Sequence, residues 1–218
     1  MKFKLAALIA VSILPLAQTA HAQDKKFYGK LTGGLSVLGD QKFSQSGVAS
    51  SGATGTGDYS SGFLAGGALG YRITDNWSTE VAWDYRNNGA DKTTFSDGSS
   101  FNDGDFASAI LFANGYYRFD PVMNTKFRPY VGAGIGFGEV DMDLKNASGT
   151  EQSYSDNVVA GQIMAGVEYP ISQNLDFSTE LRYMNVSNMK LSQENGNGRI
   201  TNVDYDPVTV AVGLTYNF

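Results

Sequence analysis

From Phe27 to Phe218 the chain alternates apolar and polar residues with a period of two, in eight segments parted by turn-rich stretches. A period of two belongs to a strand with two different faces; a helix would repeat every 3.6 residues. The third segment is the clearest, with Trp77, Thr79, Val81, Trp83 and Tyr85 on one face and Ser78, Glu80, Ala82, Asp84 and Arg86 on the other. The first sets Phe27, Leu31, Leu35 and Val37 against Tyr28, Lys30, Thr32 and Ser36. The fifth sets Val131, Ala133, Ile135 and Phe137 against Gly132, Gly134, Gly136 and Gly138. The fourth alternates less cleanly, because Ile110 and Phe112 fall on its polar face.

The first 22 residues read differently. Lys2 and Lys4 precede an apolar run from Leu5 to Ala17, followed by the small-residue ending Ala20-His21-Ala22. That is the layout of a cleaved export signal, and the run is short of the ~20 residues a spanning helix needs. We therefore expect a leader over 1–22 and one domain over 23–218. Losing Lys2 and Lys4 leaves 14 basic against 22 acidic residues, an acidic exported chain that argues against a nucleic-acid partner. Past residue 22 no apolar run is long enough for a membrane helix. Residence in a membrane would then require a closed β-barrel, which leaves no backbone group unpaired in lipid.

Connector lengths support that architecture. The stretches 74–76, 120–126 and 170–174 are short, whereas 39–60, 87–104, 141–157 and 186–204 are long and polar. An even number of strands with short periplasmic turns and long extracellular loops is the outer-membrane pattern. The expected fold is all-β, an eight-stranded antiparallel transmembrane barrel.

Charge decides which face meets lipid. Arg72, Glu80, Asp84, Arg86, Arg118, Arg128, Glu168, Glu180 and Arg182 all fall on the polar face, together with Lys30 and Asp176. The two signs nearly balance there, and an eight-stranded barrel is just wide enough for side chains to fill. We expect these residues to form an ion network in the lumen, with the inward glycines making room for long side chains. Aromatic residues such as Tyr71, Trp77, Tyr117, Phe127, Tyr169, Tyr216 and Phe218 cluster on the outward face near the short turns, as a headgroup girdle does. Ser78-Thr79-Glu80-Val81 is echoed by Ser178-Thr179-Glu180-Leu181.

Reactive chemistry is sparse. There is no Cys, and the one His lies in the expected leader, so no thiolate or imidazole site is expected in the mature chain, and no metal or cofactor. Gly132-x-Gly134-x-Gly136 lacks the G-x-G-x-x-G spacing and has no helix after it. Asp141-x-Asp143 fails the calcium-loop pattern at Lys145.

The motifs Gly70-Tyr71-Arg72-Ile73-Thr74-Asp75-Asn76-Trp77, Asn114-Gly115-Tyr116-Tyr117-Arg118-Phe119 and Arg128-Pro129-Tyr130-Val131-Gly132-Ala133-Gly134-Ile135-Gly136, with the ending Val212-Gly213-Leu214-Thr215-Tyr216-Asn217-Phe218, resemble the small bacterial outer-membrane β-barrel family. That group holds OmpA-, OmpX-, OmpW- and opacity-like surface proteins, and the resemblance spans the mature chain. It implies a place in the outer membrane, with the bilayer, lipopolysaccharide and the barrel-assembly machinery as partners. By the same resemblance, Val210, Val212, Leu214, Tyr216 and Phe218 would be the C-terminal signal read by that machinery. Barrel enzymes of similar shape rely on a His, so we expect no enzyme; Glu80 and Glu180 would be the candidates for a carboxylate-based one. The expected role is a structural surface protein with a plugged lumen. One alternative is an OmpW-like route for small apolar solutes lined by Leu64, Ile110, Phe112 and Met184. Another is an adhesin whose acidic loops bind an unidentified ligand.

Overall fold

A computed structural model describes residues 26–39, 41–46, 54–96, 100–122, 125–146, 151–193 and 199–218; the expected leader lies outside the described residues. Among the described residues ten strands form one antiparallel sheet: β1 (Phe27–Val37), β2 (Gln41–Ser46), β3 (Thr54–Arg72), β4 (Trp77–Phe95), β5 (Ser100–Arg118), β6 (Arg128–Asn146), β7 (Glu151–Pro170), β8 (Leu175–Gln193), β9 (Arg199–Tyr205) and β10 (Val208–Asn217). β1 pairs with both β10 and β3, and each later long strand pairs with the next through β8, which pairs back to β10. The circuit of pairings returns to its start. A second closure lies further along the long strands, where β2 bridges β3 to β9 and β9 pairs with β8.

The strand count and the loops differ from expectation. Ten strands stand in place of eight, and β3 to β8 each run 19 or 20 residues. Much of 39–60, 87–104, 141–157 and 186–204, read from composition as loop, is strand wall. The physical reason is a change of sidedness along each strand. On β6, Val131, Ile135 and Phe137 point outward and exposed, opposite small inward glycines; one step further Glu139 is outward and Val140 and Met142 are fully buried inward. On β8, Leu181 and Tyr183 are outward and Arg182 inward, and then Met184 and Val186 take over the inward face. A register shift between Val186 and Met189 keeps Met189 and Leu191 inward as well. Polar residues there cover the outer surface of a water-facing wall, and composition alone makes such a wall look like a loop.

Two interiors result. The half near the short turns is filled by charge. The far half is a dry core of Phe106, Val140, Met142, Tyr154, Leu191 and Val203 with their neighbours. Ile110 and Phe112, which spoil the alternation of the fourth segment, belong to that core.

Outside, the half near the short turns is greasy. Leu31 is 71% exposed, Ile135 64% and Val159 64%, whereas Arg86 and Arg182 on the opposite face are 0% and 1%. A belt of apolar side chains on every wall is far more than a water-soluble surface leaves uncovered. Among the described residues no helix is long and apolar enough to cross a membrane; strands carry the belt. Its aromatic edge lies at the short turns, in the ring pairs Phe27–Tyr71, Trp77–Tyr117, Phe127–Tyr169 and Tyr216–Phe218.

Two of the short turns, 74–76 and 170–174, are built alike. Thr74 Oγ1 accepts the Trp77 N–H at 2.9 Å, and Ser172 Oγ accepts the Leu175 N–H at 3.2 Å. Asn76 then donates to the Arg118 carbonyl, and Asn174 to the Asn217 carbonyl, tying each turn to the next wall. The internal echo in the sequence thus begins in the turns, Ile73-Thr74-x-Asn76 against Ile171-Ser172-x-Asn174.

Candidate functional site in the lumen

Every charged side chain expected in the lumen except Arg128 is brought into one stacked network. Nearest the short turns, Arg72 contacts Asp176 at 3.1 Å and Glu168 at 3.8 Å, and Arg118 reaches Glu168 at 3.4 Å and Ser78 at 2.7 Å. Asn217 joins this layer, accepting from Arg72 and donating to Asp176.

The next layer holds the two echoed glutamates, and they are treated differently. Among the described residues Glu80 forms no salt bridge. It accepts from the hydroxyls of Tyr28 at 3.1 Å and Tyr116 at 2.9 Å, and from the Asn114 amide at 3.1 Å. Glu180 accepts from the Tyr130 hydroxyl at 2.9 Å and is paired with Lys30 at 3.6 Å and with Arg182. Arg182 also reaches Asp84 at 2.7 Å, and Asp84 takes Arg86 at 3.4 Å. Arg86 ends the charged zone, its Nη1 donating to the Met184 sulfur at the floor of the dry core. Higher still, Asn88 bonds Ser36 and receives the Tyr205 hydroxyl at 3.4 Å. Burial pushes the Tyr205 hydroxyl above the usual phenol range, so it remains a donor.

Arg128 departs from the expectation. It stands at the mouth and, among the described residues, bonds the Asp75 carbonyl alone, because its cross-strand neighbour Glu168 is already drawn inward by Arg118 and Arg72.

The alternation that puts Tyr28 on the polar face puts Tyr116 there beside Asn114 and Arg118, and Tyr130 beside Arg128 and Gly132, but it does not reveal their role as donors to the glutamates. The signal was present in the register. Each tyrosine lies directly across from an inward glycine: Tyr28 from Gly70, Tyr116 from Gly132, Tyr130 from Gly166. A Cβ at those glycines would lie 2.1, 2.5 and 2.6 Å from the facing ring. The glycines give the rings room to lie across the neighbouring strand and aim their hydroxyls at the carboxylates. The rings also carry cations on their faces, Arg72 over Tyr28 at 5.4 Å and Lys30 over Tyr116 at 5.5 Å.

A closed circuit of antiparallel strands, greasy outside at one half and ion-paired within, defines an integral β-barrel protein of the outer membrane. The chain matches the outer membrane protein beta-barrel domain family over residues 5–218, and it belongs to that family. Among its relatives, the outer membrane protein PagN of Salmonella typhimurium is 27% identical over 238 residues, covering 96% of this chain and 98% of that one. Of solved structures, the outer membrane protein OprG of Pseudomonas aeruginosa aligns with a TM-score of 0.63 at 16% identity, covering 88% of this chain and 97% of that one. Neisserial surface protein A aligns with a TM-score of 0.52 at 18% identity over the same shares. The protein is thus an outer-membrane β-barrel surface protein of the cell envelope.

Proposed function

We propose that the protein is a structural surface barrel with a lumen sealed by its own side chains, neither a catalyst nor a pore. In this reading β1 and β2 make one wall and β9 and β10 another, giving eight walls in the ring. The observation that carries it is the continuity of the filling, from the Arg72–Asp176 layer through Glu80 and Glu180 to Arg86 and into the dry core. Eight walls leave an interior that side chains can fill. Glu80 and Glu180 serve to hold the walls together: every carboxylate oxygen has a donor, and the Tyr28, Tyr116, Tyr130 and Lys30 groups beside them are taken up in those contacts. Ile110, Phe112 and Met184 are packed against one another in the core, and Leu64 is buried too, so these four act as filler in place of a solute route.

Val210, Val212, Leu214 and Tyr216 point outward on β10, which is stitched between β1 and β8, and Phe218 follows it. In the proposed role they are the segment read by the barrel-assembly machinery during insertion, and lipid and lipopolysaccharide surround the belt. In the same reading a cleaved leader over 1–22 exports the chain from the cytoplasm before assembly. The test is electrical: the purified full-length protein in planar bilayers gives no discrete conductance steps, and regular steps would overturn the sealed-lumen reading.

A further inference from the structure

Lys30 enters the glutamate layer with donors to spare. Its ammonium group carries three, and the contact with Glu180 at 3.6 Å is longer than a hydrogen bond. The rings of Tyr116 and Tyr130, with centroids 5.5 and 5.9 Å away, present π-faces and no lone pair. Ser178 is 3% exposed, and its Oγ has no hydrogen-bond partner among the described residues. The two groups are neighbours, since a Cβ at Gly213 would lie 2.6 Å from Ser178 Oγ and 3.0 Å from Lys30 Cε. Glu80 offers the complement. Its Oε1 accepts two donors, whereas its Oε2 accepts the Tyr28 hydroxyl alone, which leaves an acceptor position on that oxygen.

Lys30, Glu80 and Ser178 all line one small cavity of about 10 Å³. Roughly that much room admits a single water, which must find two to four polar partners to be held. Every residue lining the cavity carries a polar group, unlike the apolar cavities that stay dry. The walls bring both signs, Lys30 and Arg118 against Glu80 and Glu168, so a bare ion of either charge meets its like.

We infer that one water molecule is bound here as a fixed member of the lumen network. It accepts from the Lys30 ammonium and donates to Glu80 Oε2, with the Ser178 hydroxyl as a third partner. Such a bridge is nearly as favourable as a direct hydrogen bond. Lys30 thereby serves both echoed glutamates, Glu180 by direct contact and Glu80 through the water.

Two measurements on the full chain folded in detergent test the site. A crystal structure that resolves ordered water should show one peak within about 3 Å of both Lys30 Nζ and Glu80 Oε2. Oxygen-17 relaxation dispersion of the solvent, which hydroxyl proton exchange does not disturb, counts long-lived waters. The count should fall by one in Ser178→Val, whose branched side chain fills the space without a polar group, and by one in Lys30→Met. If neither variant folds, the wild-type crystal structure decides. A direct Lys30–Glu80 contact with no peak between them, a peak coordinated as an ion, or an unchanged count in Ser178→Val would each overturn the site. The sealed-lumen reading fails separately: conductance steps would remove it and leave the water peak standing.

Discussion

Glu80 is 3% exposed and holds three neutral donors, so its removal leaves Tyr28 and Asn114 with buried donors that have lost their acceptor, and Tyr116 with the weak Met164 sulfur in place of a carboxylate. Each such loss costs about 1–3 kcal/mol. Glu80→Ala should therefore destabilise the folded barrel by roughly 3–5 kcal/mol, in the range seen for a broken buried pair, with Glu80→Gln costing distinctly less. Urea unfolding in detergent, with the heat-dependent gel shift as a check on folding, measures both; a Glu80→Ala midpoint equal to the wild type would contradict the assigned role. Space is as specific as charge here. Gly70→Ala puts a methyl group against the Tyr28 ring, whereas Gly115→Ala meets nothing within 4 Å. The first should cost ~1–3 kcal/mol by overpacking and the second less than about 0.5. The same unfolding assay separates them, and equal effects would remove the glycine argument.

At the scale of the element, the alternation on β6 shows why a strand can look like a loop. Glu139, Asp141 and Asp143 face outward while Val140 and Met142 face a dry core, so the hydrophobic count over this stretch is low although one face is wholly apolar. Period two was legible through residue 138; past it the polarity of the two faces exchanges, and a reading that held the outward face apolar found no strand. The β6 amides from Glu139 to Asp143 are paired on both edges and should exchange with deuterium slowly, on the timescale of the membrane-embedded wall. Exchange within seconds would mean a solvated loop. Met142→Asp, which places a charge in that core, should speed exchange across 139–143 and leave β6 below Phe137 protected, since the charge cannot be buried unpaired. The turns were legible as short, but the Thr/Ser lock shared by 74–76 and 170–174 required coordinates: nothing in composition marks Thr74 and Ser172 as acceptors for the residue three positions on.

For the whole molecule, closure depends on the last strand. β10 pairs with β1 on one side and β8 on the other, and the Phe218 N–H donates to the Phe27 carbonyl at 3.0 Å. Removing Phe218 takes away one bond and one girdle ring, a small loss against a full ring of paired strands. Refolding of such a variant into detergent should proceed nearly as for the wild type. Its heat-modifiable fraction in the cell envelope should fall several-fold if Phe218 is read during assembly, and an undiminished envelope fraction would argue against that role.

Period two, the absence of a long apolar run and the near-balance of charge on one face were enough to determine an antiparallel membrane wall with an ionic interior, because backbone pairing in lipid and the cost of unpaired charge leave few alternatives. The partners within that interior were another matter. Arg128 and Glu168 are neighbours across β6 and β7, yet Glu168 turns to Arg72 and Arg118, contributed by β3 and β5. Such choices depend on how tilted walls stagger their side chains across a common axis, and only the tertiary structure brings residues that far apart in the chain into the same layer.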